Sequence, residues 1–201
     1  PLVDGEKVLV TPGGNQGAIV ALDRKTGETI WRSSDFIEAA EYSSIIAVDH
    51  GGKRQYIQLT MKKLVGLDAA TGDVIWTSDW PGRTAVIPTP IYSDGHVFIT
   101  SGYGVGCKLL ELTATGAKEV YSNSTMVNHH GGVILKDGHV FGYSDRGGWT
   151  CQNLKTGEDI WQSRELGKGA ISYADGHFYC LEESSGTVAL IEATTKDWIE
   201  K

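Results

Sequence analysis

The chain of 201 residues predicts an all-β fold made of repeated four-stranded antiparallel modules. Two observations support this prediction: one turn recurs at near-constant spacing, and a second strand–turn–strand element recurs about twenty residues before it. No segment shows the 3.6-residue apolar period of an amphipathic helix, which agrees with an all-β chain. A repeat of about 40–45 residues is typical of the blades of a β-propeller.

The recurring turn has the form Asp-x-x-Thr-Gly and is followed by an aromatic residue. Copies occupy 21–31 and 66–76, a third copy at 151–161 keeps Thr, Gly and Trp but has Asn153 in place of Asp, and a fourth copy at 112–121 has Tyr121 in place of Trp. Their glycines, Gly27, Gly72, Gly116 and Gly157, are 45, 44 and 41 residues apart. The Asp carboxylate can accept backbone N–H bonds and glycine can adopt positive φ, so each copy predicts a tight hairpin.

Each complete copy of the turn ends in Ile-Trp, which places Trp31, Trp76 and Trp161 at equivalent positions in the outer strand. A buried aromatic side chain removes ~150–250 Å² of surface from water. Repetition at one position of the module favours a structural role. We therefore expect these tryptophans, with Gly27, Gly72 and Gly157, to pack each blade against the next.

The second repeated element is an Asp-Gly turn between two short strands, seen at 94–95, 137–138 and 175–176 and again at Asp4-Gly5. A lengthened version lies at 48–53. Each module then contains four short strands, and five modules run approximately over 1–35, 42–79, 87–123, 130–164 and 169–201. The fifth is degenerate at its end, because 193–198 lacks the turn glycine. Five modules can either close into a ring or form part of a larger one.

Composition excludes several classes of partner. The net charge of −7 and the lack of a Lys/Arg cluster disfavour nucleic acid and anionic membrane. No stretch approaches the ~18 consecutive apolar residues of a membrane span, and no signal peptide is visible. The three cysteines, Cys107, Cys151 and Cys180, have no C-x-x-C spacing and fit no zinc pattern, and an odd number leaves at least one free thiol in an exported protein. Cys151 and Cys180 fall in predicted strands, which predicts packed apolar thiols.

The Ala-x-Asp-x-x-Thr-Gly-x-x-x-Trp turn resembles the tryptophan-docking motif of the quinoprotein propellers. That superfamily contains the pyrroloquinoline-quinone (PQQ) alcohol dehydrogenases and the propeller lipoprotein of the outer-membrane β-barrel assembly machinery. The whole chain is similar to exported bacterial PQQ-like repeat proteins. The resemblance implies a periplasmic or secreted protein. It also implies that the chain is the C-terminal part of a seven- or eight-bladed ring.

The resemblance brings no cofactor site with it. The dehydrogenases hold PQQ with a vicinal Cys-Cys disulfide and a calcium bound by Glu, Asn and Asp, whereas no Cys-Cys pair occurs here. PQQ and calcium are therefore compatible with the family but have no matching motif. No catalytic residue is assigned, because a shared fold does not carry an activity with it.

The candidate binding residues lie in the connections that share one face of a propeller, where loops converge on a rigid scaffold. They are Glu41, Tyr42, Tyr103, Asn128, His129, His130, Arg146 and Trp149. We expect Glu41, Tyr42, Asn128, Arg146 and the two histidines at the same end of the propeller, with at least one histidine at the channel mouth. Tyr103 and Trp149 are candidates for stacking on a sugar or an aromatic ligand, although loop aromatics often close a blade edge.

His129-His130 is the strongest local signal. Adjacent residues on a strand point to opposite faces, so one metal cannot easily take both, and the metal is left unassigned. A metal would need further ligands from neighbouring blades, and Glu41 and Asp145 are the nearest candidates. If a neutral imidazole binds a metal or polar ligand, affinity should fall as pH drops through ~6.5. By contrast, His96, His139 and His177 each follow an Asp-Gly turn, and their repetition indicates a structural role.

Two functions from different classes follow. The first is a non-catalytic propeller that acts in the cell envelope as a binding or scaffold module for a protein or small ligand at its loop face. Exposed blade edges offer a further route to association. The alternative is a PQQ-dependent alcohol-dehydrogenase-like oxidoreductase, or its remnant, with the site completed by residues outside this chain.

Overall fold

The computed structural model describes residues 1–113 and 116–201. Over these ranges the regular structure consists of short β-strands arranged in five antiparallel sheets of consecutive strands, and no helix occurs among the described residues. The described part of the chain therefore has no helix of the length and apolar character that crossing a membrane requires. The predicted all-β architecture is confirmed.

The first two sheets each follow the order of the sequence. The first sheet contains β1 (Leu2–Asp4), β2 (Lys7–Val10), β3 (Val20–Asp23) and β4 (Thr29–Arg32). The second contains β5 (Ile46–His50), β6 (Lys53–Leu59), β7 (Lys63–Asp68) and β8 (Val74–Asp79). Each has one register shift, between Ala21 and Leu22 in the first and between Gly66 and Leu67 in the second, just before the recurring turn.

The third and fourth sheets also have four strands. The third contains β9 (Ile91–Ser93), β10 (His96–Ser101), β11 (Gly106–Thr113) and β12 (Gly116–Asn123). The predicted turn between β11 and β12 includes residues 114 and 115, which lie outside the described residues. The fourth sheet contains β13 (Val133–Lys136), β14 (His139–Ser144), β15 (Gly148–Asn153) and β16 (Asp159–Ser163).

The fifth sheet has three strands, which are β17 (Gly169–Ala174), β18 (His177–Glu182) and β19 (Val188–Glu192). Its missing fourth strand agrees with the degenerate end read from the sequence. The last residues pair briefly with β19, because Glu192 N donates to Ile199 O and Lys201 N donates to Leu190 O. The turn from Glu182 to Gly186, with φ of +73° at the glycine, joins β18 to β19.

The chain divides into two compact units. Unit 1 comprises Pro1–Val97 and Leu110–Lys118, and unit 2 comprises Phe98–Leu109 and Glu119–Lys201. The core of unit 1 gathers Leu9, Ala21, Trp31, Tyr56 and Leu67. The core of unit 2 gathers Phe141, Trp149, Trp161, Phe178 and Ile191.

The chemistry of the recurring turn explains its sequence. Asp23 Oδ1 accepts the backbone N–H groups of Lys25 and Thr26 at 2.8 and 2.9 Å. Asn153 Oδ1 accepts the equivalent bonds at 2.9 and 3.0 Å, so the carbonyl oxygen of Asn serves as well as a carboxylate. Gly27 and Gly157 then adopt φ of +75° and +76°, a region that only glycine enters without strain.

The repeated tryptophans are buried, with exposed fractions of 8% for Trp31, 5% for Trp76 and 9% for Trp161. Trp31 Nε1 donates to Ala69 O, in the turn of the second sheet, at 3.3 Å. Trp161 Nε1 donates to Thr194 O, after the fifth sheet, at 3.1 Å. These two rings thus connect one sheet to the next, which is the role the repeat predicts.

Trp76 is held by its own sheet. Its Nε1 donates to Gln55 Oε1 at 2.9 Å, and a Cβ placed on Gly66 would come within 2.3 Å of the indole. Real Cβ atoms do not approach so closely, so Gly66 is required for the ring to lie flat against β7.

The three cysteines are buried and free of disulfides. Burial raises the pKa of Cys151 and of Cys180 to about 12, and it also raises the pKa of Cys107. All three thiols stay protonated. Cys151 and Cys180 pack as small apolar groups, as the sequence predicts, whereas Cys107 Sγ donates to Asn123 Oδ1 at 3.0 Å.

Candidate functional site

A cluster of polar side chains lies in unit 2 and is built from five connections. Tyr103 lies between β10 and β11, His129 and His130 between β12 and β13, and Asp145 between β14 and β15. Lys168 lies between β16 and β17, and Glu183 between β18 and β19. We call these six residues the histidine cluster.

Glycines let the backbones of the cluster approach one another. A Cβ on Gly102 would lie 2.6 Å from His129 Cα, and a Cβ on Gly131 would lie 2.3 Å from Gly169 O. Gly131 also has φ of +85°. The glycines beside Tyr103 and beside the two histidines are therefore part of how the cluster is assembled.

Four side chains form one continuous hydrogen-bonded row. Lys168 Nζ lies 2.8 Å from Asp145 Oδ1 and 2.8 Å from His129 Nδ1. On the other side of the ring, His129 Nε2 lies 2.8 Å from the Tyr103 hydroxyl. The row thus runs from a carboxylate through an ammonium and an imidazole to a phenol.

The partners of His129 fix its protonation state. The Lys168 ammonium can only donate, so Nδ1 must accept and the proton of the neutral ring sits on Nε2. Burial lowers the pKa of His129, and its neighbours Lys168 and His130 lower it further, while Asp145 and Glu183 act in the opposite direction. The ring is therefore held neutral with both nitrogens engaged, which leaves no free lone pair on His129 for a metal.

His130 makes a separate pair, with Nε2 2.7 Å from Glu183 Oε2. From the sequence, both histidines are expected on a strand, with their side chains on opposite faces. Residues 124–132 instead precede β13 and are not in a strand. Strand alternation does not apply there. The two rings lie side by side, with centroids 4.8 Å apart and a 44° angle between their planes.

Two candidates from the sequence point into the protein. Asn128 is 0% exposed and donates through Nδ2 to Gly132 O and Tyr143 O at 3.1 and 2.9 Å. Trp149 is 1% exposed, and its Nε1 donates to Leu166 O at 3.1 Å. The prediction that Trp149 stacks on a ligand is therefore wrong. β15 starts at Gly148, which has φ of +85°, so Trp149 lies in the strand and its indole packs in the core.

The remaining candidates lie outside the histidine cluster. Arg146 bonds to Ser124 Oγ, and its backbone carbonyl accepts from Arg164 Nη2 at 2.6 Å. Glu41 and Tyr42 belong to unit 1, where they line an open cleft of about 430 Å³ with residues 9–12 and 43–45. Glu41 Oε2 accepts from Val86 N at 3.3 Å, and Tyr42 is 73% exposed.

The sequence does not mark Lys168 or Glu183 as binding residues, and it indicates Asp145 only as a further ligand for a metal. Lys168 stands 39 residues from His129, and Asp145 and Glu183 are likewise distant in sequence. The available signal was positional: Lys168 occupies the same connection in the module after β16 that His129 occupies after β12. A charged residue at the equivalent connection of the next module was the clue to a shared site.

The described residues do not fit a calcium-bound quinone site. Among residues 1–113 and 116–201, no group of three or more His, Cys, Asp or Glu side chains is arranged to hold a metal ion. The three thiols lie on β11, β15 and β18 and are buried, so they offer no vicinal pair.

Comparison with known proteins identifies the family. The profile of a family described as "Outer membrane protein assembly factor BamB" matches residues 1–163. The chain belongs to this family. This match confirms the PQQ-like propeller repeat family that the recurring turn suggested.

Individual relatives agree with the fold. The chain is 30% identical over 108 residues to a polyvinylalcohol dehydrogenase from a Pseudomonas species, a match over 51% of the chain and 16% of the relative. The structure of BamB from Moraxella catarrhalis superposes with a TM-score of 0.65 at 19% identity, over 98% of the chain and 57% of that protein. The chain thus spans little more than half of this BamB.

Two computationally designed proteins share the architecture. Ika8 superposes with a TM-score of 0.69 at 13% identity, over 98% of the chain and 58% of Ika8. Ika4 superposes with a TM-score of 0.59 at 13% identity, over 84% of the chain and all of Ika4. At these identities the likeness establishes the fold alone.

Proposed function

We propose that the chain is a non-catalytic binding or scaffold module of the cell envelope, and that it contacts a protein or small ligand through the histidine cluster. The observation that carries the proposal is the row from Asp145 to Tyr103. Loops of three successive sheets hold its groups at hydrogen-bond distance on a rigid scaffold.

The outer end of the row is available to a ligand. Tyr103 is 39% exposed, and its oxygen accepts the Nε2–H of His129, so its own O–H is left to donate. Hydrogen bonds in a chain polarise one another, which strengthens this outer donor. One N–H of Lys168 also remains after its bonds to Asp145 and His129.

The comparisons support a protein partner and an exported location. The matching family is described as an outer membrane protein assembly factor, which is an envelope role. Three points remain predictions. The first is that one end of the propeller holds both histidines, one of them at the channel mouth, together with Glu41, Tyr42, Asn128 and Arg146. The others are the blade boundaries and the larger ring.

Site-specific photocrosslinking tests the proposal. A photoreactive phenylalanine analogue replaces Tyr103 in the cells that produce the protein, and the same analogue replaces Tyr179, which is also 39% exposed in unit 2, as the matched control. We expect a discrete adduct from position 103 that is reduced by Lys168→Gln and absent from position 179. Equal adducts at both positions, or none at 103, would contradict the proposal.

The polyvinylalcohol dehydrogenase relative supports a second candidate, a PQQ-dependent oxidoreductase or its remnant completed by residues outside this chain. Reconstitution with PQQ and calcium separates the two functions. The binding-module proposal predicts neither bound-quinone absorbance nor dye-linked alcohol oxidation. Stoichiometric quinone binding with turnover of an alcohol would establish the second candidate.

A further inference from the structure

The contact between Lys168 and His129 depends on a neutral imidazole. Lys168 Nζ lies 2.8 Å from His129 Nδ1, and the ammonium has no lone pair with which to accept. When Nδ1 gains a proton, it changes from an acceptor to a donor and the ring becomes a cation, so two cationic donors face each other. Two like charges at this distance repel strongly even at a partly exposed site, so the Lys168–His129 contact must change when the ring is protonated at low pH.

The neighbouring carboxylates are already engaged. Asp145 Oδ1 pairs with Lys168 at 2.8 Å, and Glu183 Oε2 pairs with His130 at 2.7 Å. Neither carboxylate lies between Lys168 Nζ and His129 Nδ1. On the far side of the ring, Nε2–H donates to Tyr103 in both protonation states, so the imidazole keeps its orientation when Nδ1 gains a proton.

We propose that protonation of His129 creates a site for a small oxyanion, such as a carboxylate or sulfate group, held between His129 Nδ1–H and Lys168 Nζ. The anion accepts from both donors and compensates the added positive charge. The proposal rests on the proposed function in placing ligand contact at the histidine cluster, and it names the ligand's chemical class and its dependence on acid.

Linkage sets the direction of the effect. An anion that binds the protonated ring more tightly than the neutral ring must raise the pKa of His129, and its affinity must increase as pH falls. Burial, Lys168 and His130 hold this pKa below its ordinary value in the free protein. Anion binding and protonation of His129 therefore strengthen each other, and occupancy of the site increases as pH falls.

Sulfate is the probe, because its charge stays constant across the titration. Ring resonances of all histidines are followed by NMR in the full chain, with sulfate and with chloride at matched ionic strength. We expect saturating sulfate to raise the His129 midpoint by about one pH unit, and sulfate affinity to increase by up to roughly tenfold from pH 8 to pH 5. His177, a turn histidine of unit 2, is the internal control and should not move.

Variants assign the effect to the cluster. His129→Gln should abolish the pH dependence of sulfate binding and Lys168→Gln the binding itself, whereas Lys136→Gln, a surface lysine of the same unit, should change neither. Backbone amide spectra verify that each variant is folded. An unchanged His129 midpoint in sulfate, or an equal shift at His177, would overturn the proposal, while a Tyr103 adduct in the crosslinking experiment would still support the binding module.

Discussion

Four of the six histidines use their Nδ1 atoms in two opposite ways. His96, His139 and His177 follow Asp-Gly turns, and in each the Nδ1 atom lies 2.7–2.9 Å from the carbonyl oxygen of the turn aspartate. A carbonyl only accepts, so Nδ1 carries the proton there. His129 Nδ1 instead faces the Lys168 ammonium and must accept.

The difference separates scaffold from site. The turn histidines repeat one local contact, and the residues that make it lie two positions apart. The contacts of His129 reach across 26 and 39 residues and occur once. The turn contacts recur with the module and so belong to its fold, whereas the row through His129 is not part of the repeat.

Among the residues that recur from module to module, Trp76 should give the largest effect when it is replaced by Ala. Removing a buried indole that packs on Gly66 and bonds to Gln55 should cost ~3–5 kcal/mol of unfolding free energy. Chemical denaturation measures the loss, with Trp76→Phe as a milder control. A loss below about 1 kcal/mol would mean that the repeated tryptophans are not essential for packing.

Asn128→Ala tests whether a residue beside the histidine cluster belongs to the scaffold. The substitution leaves the carbonyls of Gly132 and Tyr143 without their side-chain donor, which should cost about 1–3 kcal/mol. Denaturation compares it with His129→Gln, which should cost less. Normal stability with loss of crosslinking at position 103 would instead make Asn128 part of the ligand surface.

The depressed pKa of His129 gives a pH dependence with a defined sign. The unfolded chain binds a proton below ~6.5 that the folded chain still excludes, so stability conferred by the neutral ring is lost as pH falls from that value through the lower folded pKa. Thermal unfolding between neutral and mildly acid pH should show a decline that His129→Gln reduces. A steeper decline in the variant would contradict this assignment.

The smallest effect is expected from His139→Gln. This ring contacts only the local turn carbonyl in the described hydrogen bonds, so the substitution should change the unfolding free energy by about 0.5 kcal/mol or less. It should also leave crosslinking at position 103 unchanged. A loss of crosslinking would remove the distinction between turn and cluster histidines.

Much of the fold could be predicted because its signals are local. Asp23 and Asn153 bond to backbone N–H groups two and three residues ahead, so the turn is encoded in one short segment. The fifth sheet was less accessible, because residues 193–198 follow its third strand, where the Asp-x-x-Thr-Gly turn lies in other sheets, and they lack the turn glycine.

The site was predicted in part. His129 and His130 stood out because nothing in the other modules repeats them, and both lie in the cluster. Lys168 and Glu183 were not selected, because no motif marks them and their approach depends on backbone packing at Gly131 and Gly169. Trp149 was predicted in the loop before β15. The strand begins at Gly148, so Trp149 lies in β15 and packs in the core.

The tautomers of the histidine rings test the central distinction most directly. Long-range ¹H–¹⁵N NMR of the ring nitrogens, at a pH where the rings are neutral, separates the proton on Nδ1 from the proton on Nε2. The structure predicts Nε2–H for His129 and Nδ1–H for His96, His139 and His177. One common tautomer for all four, or an Nδ1–H form at His129, would contradict the Lys168–His129–Tyr103 row and the binding site built on it.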